Sequence, residues 1–298
     1  ARAAQQIAPD QTLTVNGLTW NVTYADNGAG FNDPMLGPGR RALLETALTY
    51  IANVLNETAT IDVEVEPSQL DGGGFLASAG TFYPVNVTGF FDGTTLERVR
   101  TGVKPAPQLP EIVVTVDFGF NWNETTNPPA NNQFDLLSTL VHELTHGLGF
   151  LSLGDAVGGD GTYAALDRFI VRGTPRRNLF GGNPTGFIGQ QQDLTSNDLF
   201  YSGAQGTAFY AQGVEAGIFA PSPFASGSSL SHWDTGNIVG GAVMEHAIAP
   251  GESVREYAPL EIGALRDLGY INAATPQQGG FTLSVSTSGQ GAVTVSPN

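Results

Sequence analysis

The chain contains no cysteine in 298 residues. Disulfide bridges, thiolate metal ligands and a cysteine-based latency switch are therefore excluded, and any metal it holds must sit on nitrogen or oxygen. Positive charge is also scarce. Twelve Lys and Arg stand against 28 Asp and Glu, for a formal net charge of -16, and Lys104 is the single lysine. A nucleic-acid backbone is repelled by such a surface at long range, so nucleic acid is not an expected partner. No apolar run approaches the roughly 20 residues that cross a bilayer. The opening Ala1-Arg-Ala-Ala-Gln-Gln lacks the apolar core of a signal peptide and reads as a mature or trimmed chain. What remains is ordinary for a globular protein: 41 % of residues are hydrophobic, enough for one sizeable two-part domain or two smaller ones. The acidity leaves room for calcium at oxygen-rich sites, though acidity by itself serves solubility.

Periodicity divides the chain. Residues 11–24 alternate like a strand, through Leu13, Val15, Leu18, Trp20, Val22 and Tyr24, and Gly39 to Asn56 carries Leu43, Leu44, Ala47, Leu48, Ile51, Val54 and Leu55 at helical spacing. Strands are predicted at Ile61–Val65 and Ile112–Val116, and a turn-rich segment at 121–132. Apolar positions 134, 137, 140, 141, 144 and 148 then predict a helix stopping at Gly147 or Gly149. From Ser152 to Ser231 the chain is rich in Gly, Asn, Ser and Pro and reads as a long irregular insertion, with Tyr163–Val171 its main ordered candidate. Pro259–Leu268 predicts a last helix closing at Gly269. The expected organisation is an N-terminal part over 1–150, a second part over 151–273, and over 274–298 a linker and the opening hairpin (Phe281–Val285, Val293–Val295) of a further β module.

The chemistry concentrates in His142-Glu143-Leu144-Thr145-His146. Two histidines four apart on one helical face can present their imidazoles to one ion, and a glutamate beside them can take a proton from water that a zinc ion has acidified. Gly149, three residues after His146, suits a turn that sends the backbone back toward the metal. A catalytic zinc wants three protein ligands and an open position. Position 152 is Ser, so the third ligand must come from elsewhere. His232 and His246 are the only other histidines, and Asp155 is a weaker rival.

His142-Glu-Leu-Thr-His146-Gly-Leu-Gly149-Phe, a long insertion, then Ser231-His232-Trp and a downstream Val243-Met244 resemble the leishmanolysin branch of the metzincin zinc peptidases. The resemblance extends over about 134–271 and includes the closing Ala-Leu-Arg-Asp-Leu-Gly-Tyr. It implies an α+β fold: a metzincin-like zincin with a mixed sheet and active-site helix in its upper part, and an irregular lower part with a methionine turn and a C-terminal helix. It implies one catalytic zinc on His142, His146 and His232, Glu143 as general base, Met244 in a tight turn beneath the metal, and a secreted endopeptidase acting on protein or peptide. Two departures stand out. Leishmanolysins are rich in disulfides, and their cysteine-bearing propeptide has no counterpart here, so this would be a distant, cysteine-free relative, its latency mechanism not inherited.

Some residues admit two readings. His246, two positions after Met244, is either a fifth ligand or oxyanion stabiliser, or a histidine near the metal that does not touch it. Asp234 either orients a ligand or caps a turn. Trp233 and Phe150 are expected to pack in the core. Gly158-Gly-Asp160-Gly-Thr-Tyr-Ala-Ala-Leu-Asp167-Arg168 lacks EF-hand spacing and is expected to form a structured turn with an Asp167–Arg168 surface pair rather than a calcium loop. The competing function is a non-catalytic extracellular adhesion or metal-binding module that contacts a cell surface or matrix through the C-terminal β module. Retention of Glu143 argues against it, since a purely structural zinc site has no use for a base.

Overall fold

Asn16 and Gly17 both adopt positive φ, 48° and 91°, the backbone that a tight hairpin demands. They split the expected strand over 11–24 into two antiparallel strands, β1 (Gln11–Val15) and β2 (Leu18–Tyr24), with Val15 opposite Leu18. The computed structural model describes residues 8–26, 28–66, 69–209, 215–237 and 241–275. The expected hairpin over 281–295 lies outside the described residues.

From β2 the chain crosses through helix α1 (Gly37–Leu55) to β3 (Ala59–Val65), which runs parallel to β2. The seven apolar residues at helical spacing in α1 are all buried, and Asn56 ends the helix in the left-handed region at φ 49°. β6 (Ile112–Val116) lies parallel to β3, and β4 (Ala77–Gly80) pairs antiparallel with β6. The sheet order is β1-β2-β3-β6-β4, so the sheet is mixed and β4 forms one edge. Short β5 (Gly89–Phe91) and helix α2 (Thr94–Thr101) lie between β4 and β6.

Helix α3 (Leu136–Gly147) packs on α1 and against β4 and β6. Leu136, Leu140 and Leu144 are fully buried. At Gly147 a Cβ would stand 2.5 Å from the Ile112 side chain, so only glycine lets this helix sit so close to the sheet. The N-terminus of α3 is set by Asp135, which was not singled out in the sequence. Its carboxylate accepts the Ser138 amide at 3.1 Å as an N-cap, the Asn123 amide group at 2.9 Å, and Arg255 Nε and Nη2 at 2.8 and 2.6 Å.

After Gly149 the elements are short. Tyr163–Val171 is ordered as expected: Thr162–Ala164 pairs with β5, a 3-10 turn spans Ala165–Phe169, and Ile170–Arg172 is flanked in a small sheet by Arg177–Asn178 and Leu199–Tyr201. One expectation is corrected here. Asp167 is not half of a surface pair with Arg168 but is fully buried, accepting the Ser152 hydroxyl and the Leu153 and Ala164 amides at 3.1 and 2.8 Å. Those three donors satisfy it, and Arg168 instead donates to the Phe90 carbonyl at 3.2 Å. Helices α4 (Ala204–Phe209) and α5 (Pro259–Leu268, ending at Gly269) pack together. Tyr270 returns to the upper part, its hydroxyl donating to the Leu148 carbonyl at 2.8 Å. No helix among the described residues is long and apolar enough to cross a membrane.

Asp135 generates a prediction. Burial pushes its carboxyl up, but Arg255, Ser138 and Asn123 outweigh burial and hold it below the ordinary carboxylate value. A depressed folded value means that its stabilisation is complete above about pH 4 and is lost as pH falls through the folded value. Asp135→Ala removes the cap and takes the carboxylate from Arg255, and should cost about 3–5 kcal/mol in urea unfolding at pH 7. The difference from wild type should shrink below pH 4. A cost under about 1 kcal/mol would contradict this role.

Candidate metal centre

His142 and His146 lie one turn apart on α3, with ring centroids 4.8 Å from each other. The chain then turns at Gly149, whose φ of 95° brings the Phe150 carbonyl back to the His146 Nδ1 at 2.7 Å. The turn expected from sequence therefore does more than end the helix: it anchors the second imidazole. His142 Nδ1 meets the Val243 carbonyl at 2.6 Å, and His232 Nδ1 meets the Ser228 carbonyl at 2.7 Å. A carbonyl can only accept, so each Nδ1 carries the proton and each Nε2 presents a lone pair.

Those lone pairs are turned toward one another. His232 Nε2 lies 3.1 Å from His146 Nε2 and 3.2 Å from His142 Nε2, and the three ligand atoms are all within 4.8 Å of one another. With every Nδ1 already donating, no Nε2 has a proton to offer its neighbours, so three acceptors converge with no donor between them. A shared cation resolves that conflict. Three imidazole nitrogens with a neighbouring carboxylate suit zinc, with cobalt or nickel as chemical substitutes. Burial holds all three histidines below the ordinary imidazole value, His146 down to about 3 with help from His142. The rings are neutral at physiological pH, as metal ligands must be.

Glu143 is 7 % exposed and lies in the same cleft of about 550 Å³ as the three histidines. Burial pushes its carboxyl up to about 8, against the opposing pull of an Ala79 amide on β4. Met244 is fully buried, and its turn is held at both ends: its amide donates to Glu261 at 2.6 Å and its carbonyl accepts the Trp233 amide at 2.9 Å. Trp233 and Phe150 pack edge to face at 5.1 Å, as core residues.

The remaining candidates separate. His246 is not one of the three clustered imidazoles. It lines the same cleft, stacked on Phe219 at 3.7 Å between ring centroids, and its Nδ1 is buried without a hydrogen-bond partner. Asp155 accepts the Val157 and Gly159 amides, each at 2.8 Å, and does not join the histidine cluster. Asp234 accepts the Gly236 amide at 3.2 Å, the turn-capping reading. Among the described residues, the histidine group is the one set of three or more His, Asp or Glu side chains close enough together to hold an ion. A second cavity of about 780 Å³ beside α2 contains none of the candidate residues.

Sequence reasoning missed Glu261 and the Ser152–Ser231 contact, where the Ser152 amide donates to Ser231 Oγ at 3.0 Å next to His232, and it misread Asp167 as a surface residue. Glu261 did carry a local signal, a glutamate two residues after Pro259 at the start of a helix. Compared with known proteins, the chain matches no family model, no curated protein and no solved structure, so the centre is read from its own geometry.

Equilibrium titration with zinc should give one tight equivalent per chain. His232→Ala should weaken it by at least about 100-fold, more than loss of a mere outer partner, while His246→Ala should leave the stoichiometry at one. If His232→Ala kept full affinity, or His246→Ala abolished binding, the ligand assignment would be wrong.

Proposed function

We propose that this protein is a zinc-dependent endopeptidase in which His142, His146 and His232 hold the metal and Glu143 is the general base. The observation that carries this reading is the convergence of three Nε2 lone pairs beside a buried glutamate, in an open cleft. Zinc held there supplies Lewis acidity, polarising a carbonyl and lowering the pKa of water toward about 7.

The chain's own residues supply the rest. Glu143 takes the proton from the water whose oxygen attacks the scissile carbonyl carbon, then passes it to the amine as the C–N bond breaks. The Ala79 amide fixes the carboxylate toward β4. No lysine or arginine lines the cleft among the described residues, and His246, which does line it, would assist the metal in holding the oxyanion.

Peptide is favoured as the substrate by the strand beside the metal. Ala77, Ser78 and Ala79 line the cleft, and among the described residues β4 is paired on its β6 side alone. An extended peptide can add to such an edge through backbone hydrogen bonds. The resemblance to leishmanolysin-type metzincins, and the secreted location that it implies, agree with this assignment. An adhesion module would leave both Glu143 and the open cleft without a role.

Casein digestion provides the test. Wild type loaded with one zinc should cleave it, and Glu143→Ala should keep the zinc while losing about 10²–10⁴-fold in rate. Zinc-loaded wild type that cuts neither unfolded proteins nor peptides would overturn the peptidase reading in favour of the binding module.

A further inference from the structure

Glu261, the third residue of α5, is 1 % exposed and takes no part in the proposed chemistry. Its Oε1 accepts the Met244 amide at 2.6 Å and the Trp233 indole Nε1 at 3.3 Å. Its Oε2 accepts the Ala258 and Val243 amides at 2.8 and 3.2 Å. Every one of these partners is an N–H donor with no lone pair to receive a proton, so the pocket fits the carboxylate anion. Burial outweighs the opposing pull of the four donors and leaves the group raised to about 7.

The Met244 amide and the Val243 carbonyl belong to one peptide unit, and a trans peptide points its N–H and C=O in opposite directions. On one side that unit donates to Glu261; on the other it accepts the His142 Nδ1 proton at 2.6 Å. The result is a continuous line from carboxylate, through a peptide plane, to an imidazole whose Nε2 faces the centre. A carboxylate polarises the peptide and makes its carbonyl a better acceptor, which in turn enriches the distal ring nitrogen as a donor. Glu261 also grips Trp233, the residue after His232, whose amide donates to the Met244 carbonyl at 2.9 Å. His146 is independent of this network, since the Phe150 carbonyl at its own helix exit holds it.

We propose that Glu261 is a positioning residue of the metal centre, acting on His142 through the Val243–Met244 peptide as a carboxylate–peptide–imidazole relay. The proposal rests on the reading above that the three histidines hold a metal, but the relay has its own observable in the metal-free protein.

The test is Glu261→Gln, followed by NMR of the imidazole protons and by zinc titration. Glutamine removes the charge and, in either amide orientation, sets an NH₂ against two N–H donors. In the metal-free variant the His142 Nδ1 proton should move upfield and exchange faster, while that of His146 stays in place. Zinc affinity of the folded variant should fall about 10–100-fold. Trp233→Phe, which removes one donor but leaves the carboxylate, should lose stability without moving the His142 proton. Wild type alone provides a reading that needs no variant to fold: the Met244 amide and His142 Nδ1 protons should both lie downfield of their ordinary ranges. An unchanged His142 proton and unchanged zinc affinity in Glu261→Gln would overturn the relay, as would an ordinary Met244 amide shift in wild type. If wild type binds no zinc yet the His142 proton responds to Glu261→Gln, the relay stands and the metal reading fails.

Discussion

Three neutral imidazoles can be buried with their lone pairs facing only if each is held from behind, and the rest of this structure depends on how that holding is arranged. Each Nδ1 donates to a backbone carbonyl, of Phe150, Ser228 or Val243. Carbonyls fix both the tautomer and the direction of each ring, and no side chain has to be ordered to do it. The requirement passes to the backbone. A glycine turn places Phe150, the Ser228–Ser231 loop places its carbonyl beside His232, and the turn at Met244 presents Val243.

The arrangement also ties the two halves of the chain together. Residues 1–150 contribute α3, the β4 edge and two imidazoles, and residues 151–273 contribute the third imidazole, the methionine turn and Glu261. Polar contacts cross between them around the centre: Arg255 to Asp135, the Thr145 and Tyr257 hydroxyls 2.6 Å apart in the core, and Tyr270 to the Leu148 carbonyl. Each satisfies a group that would be costly to bury alone. The cleft lies where these contacts leave an opening, between the β4 edge and the segment after the methionine turn.

How much of this the sequence discloses depends on the range of the interaction. The spacing of His142 and His146, the limits of α1, β6 and α5, and the turn at Gly149 were legible because each rests on neighbours a few residues away. The third imidazole was not legible in that sense: 86 residues separate His146 from His232, and spacing alone left His246 and Asp155 open. β4 was invisible because Ala-Ser-Ala-Gly has neither β-branched nor aromatic residues; it is a strand only because β6 is there to pair with it. Helix α2 buries just Thr95 and Leu96, too short a stripe to read as periodicity. Asp167 was misjudged for a related reason. A local pattern shows that an aspartate can turn a loop, but not that Ser152 arrives from 15 residues away to bury it.

Diffraction from zinc-loaded crystals on both sides of the zinc absorption edge addresses the central claim most directly. The account predicts one anomalous peak per chain, about 2.0–2.1 Å from Nε2 of His142, His146 and His232, with its remaining position open to the cleft beside Glu143. A peak held by His246 or by a fourth protein ligand, or no peak among these three imidazoles, would contradict it.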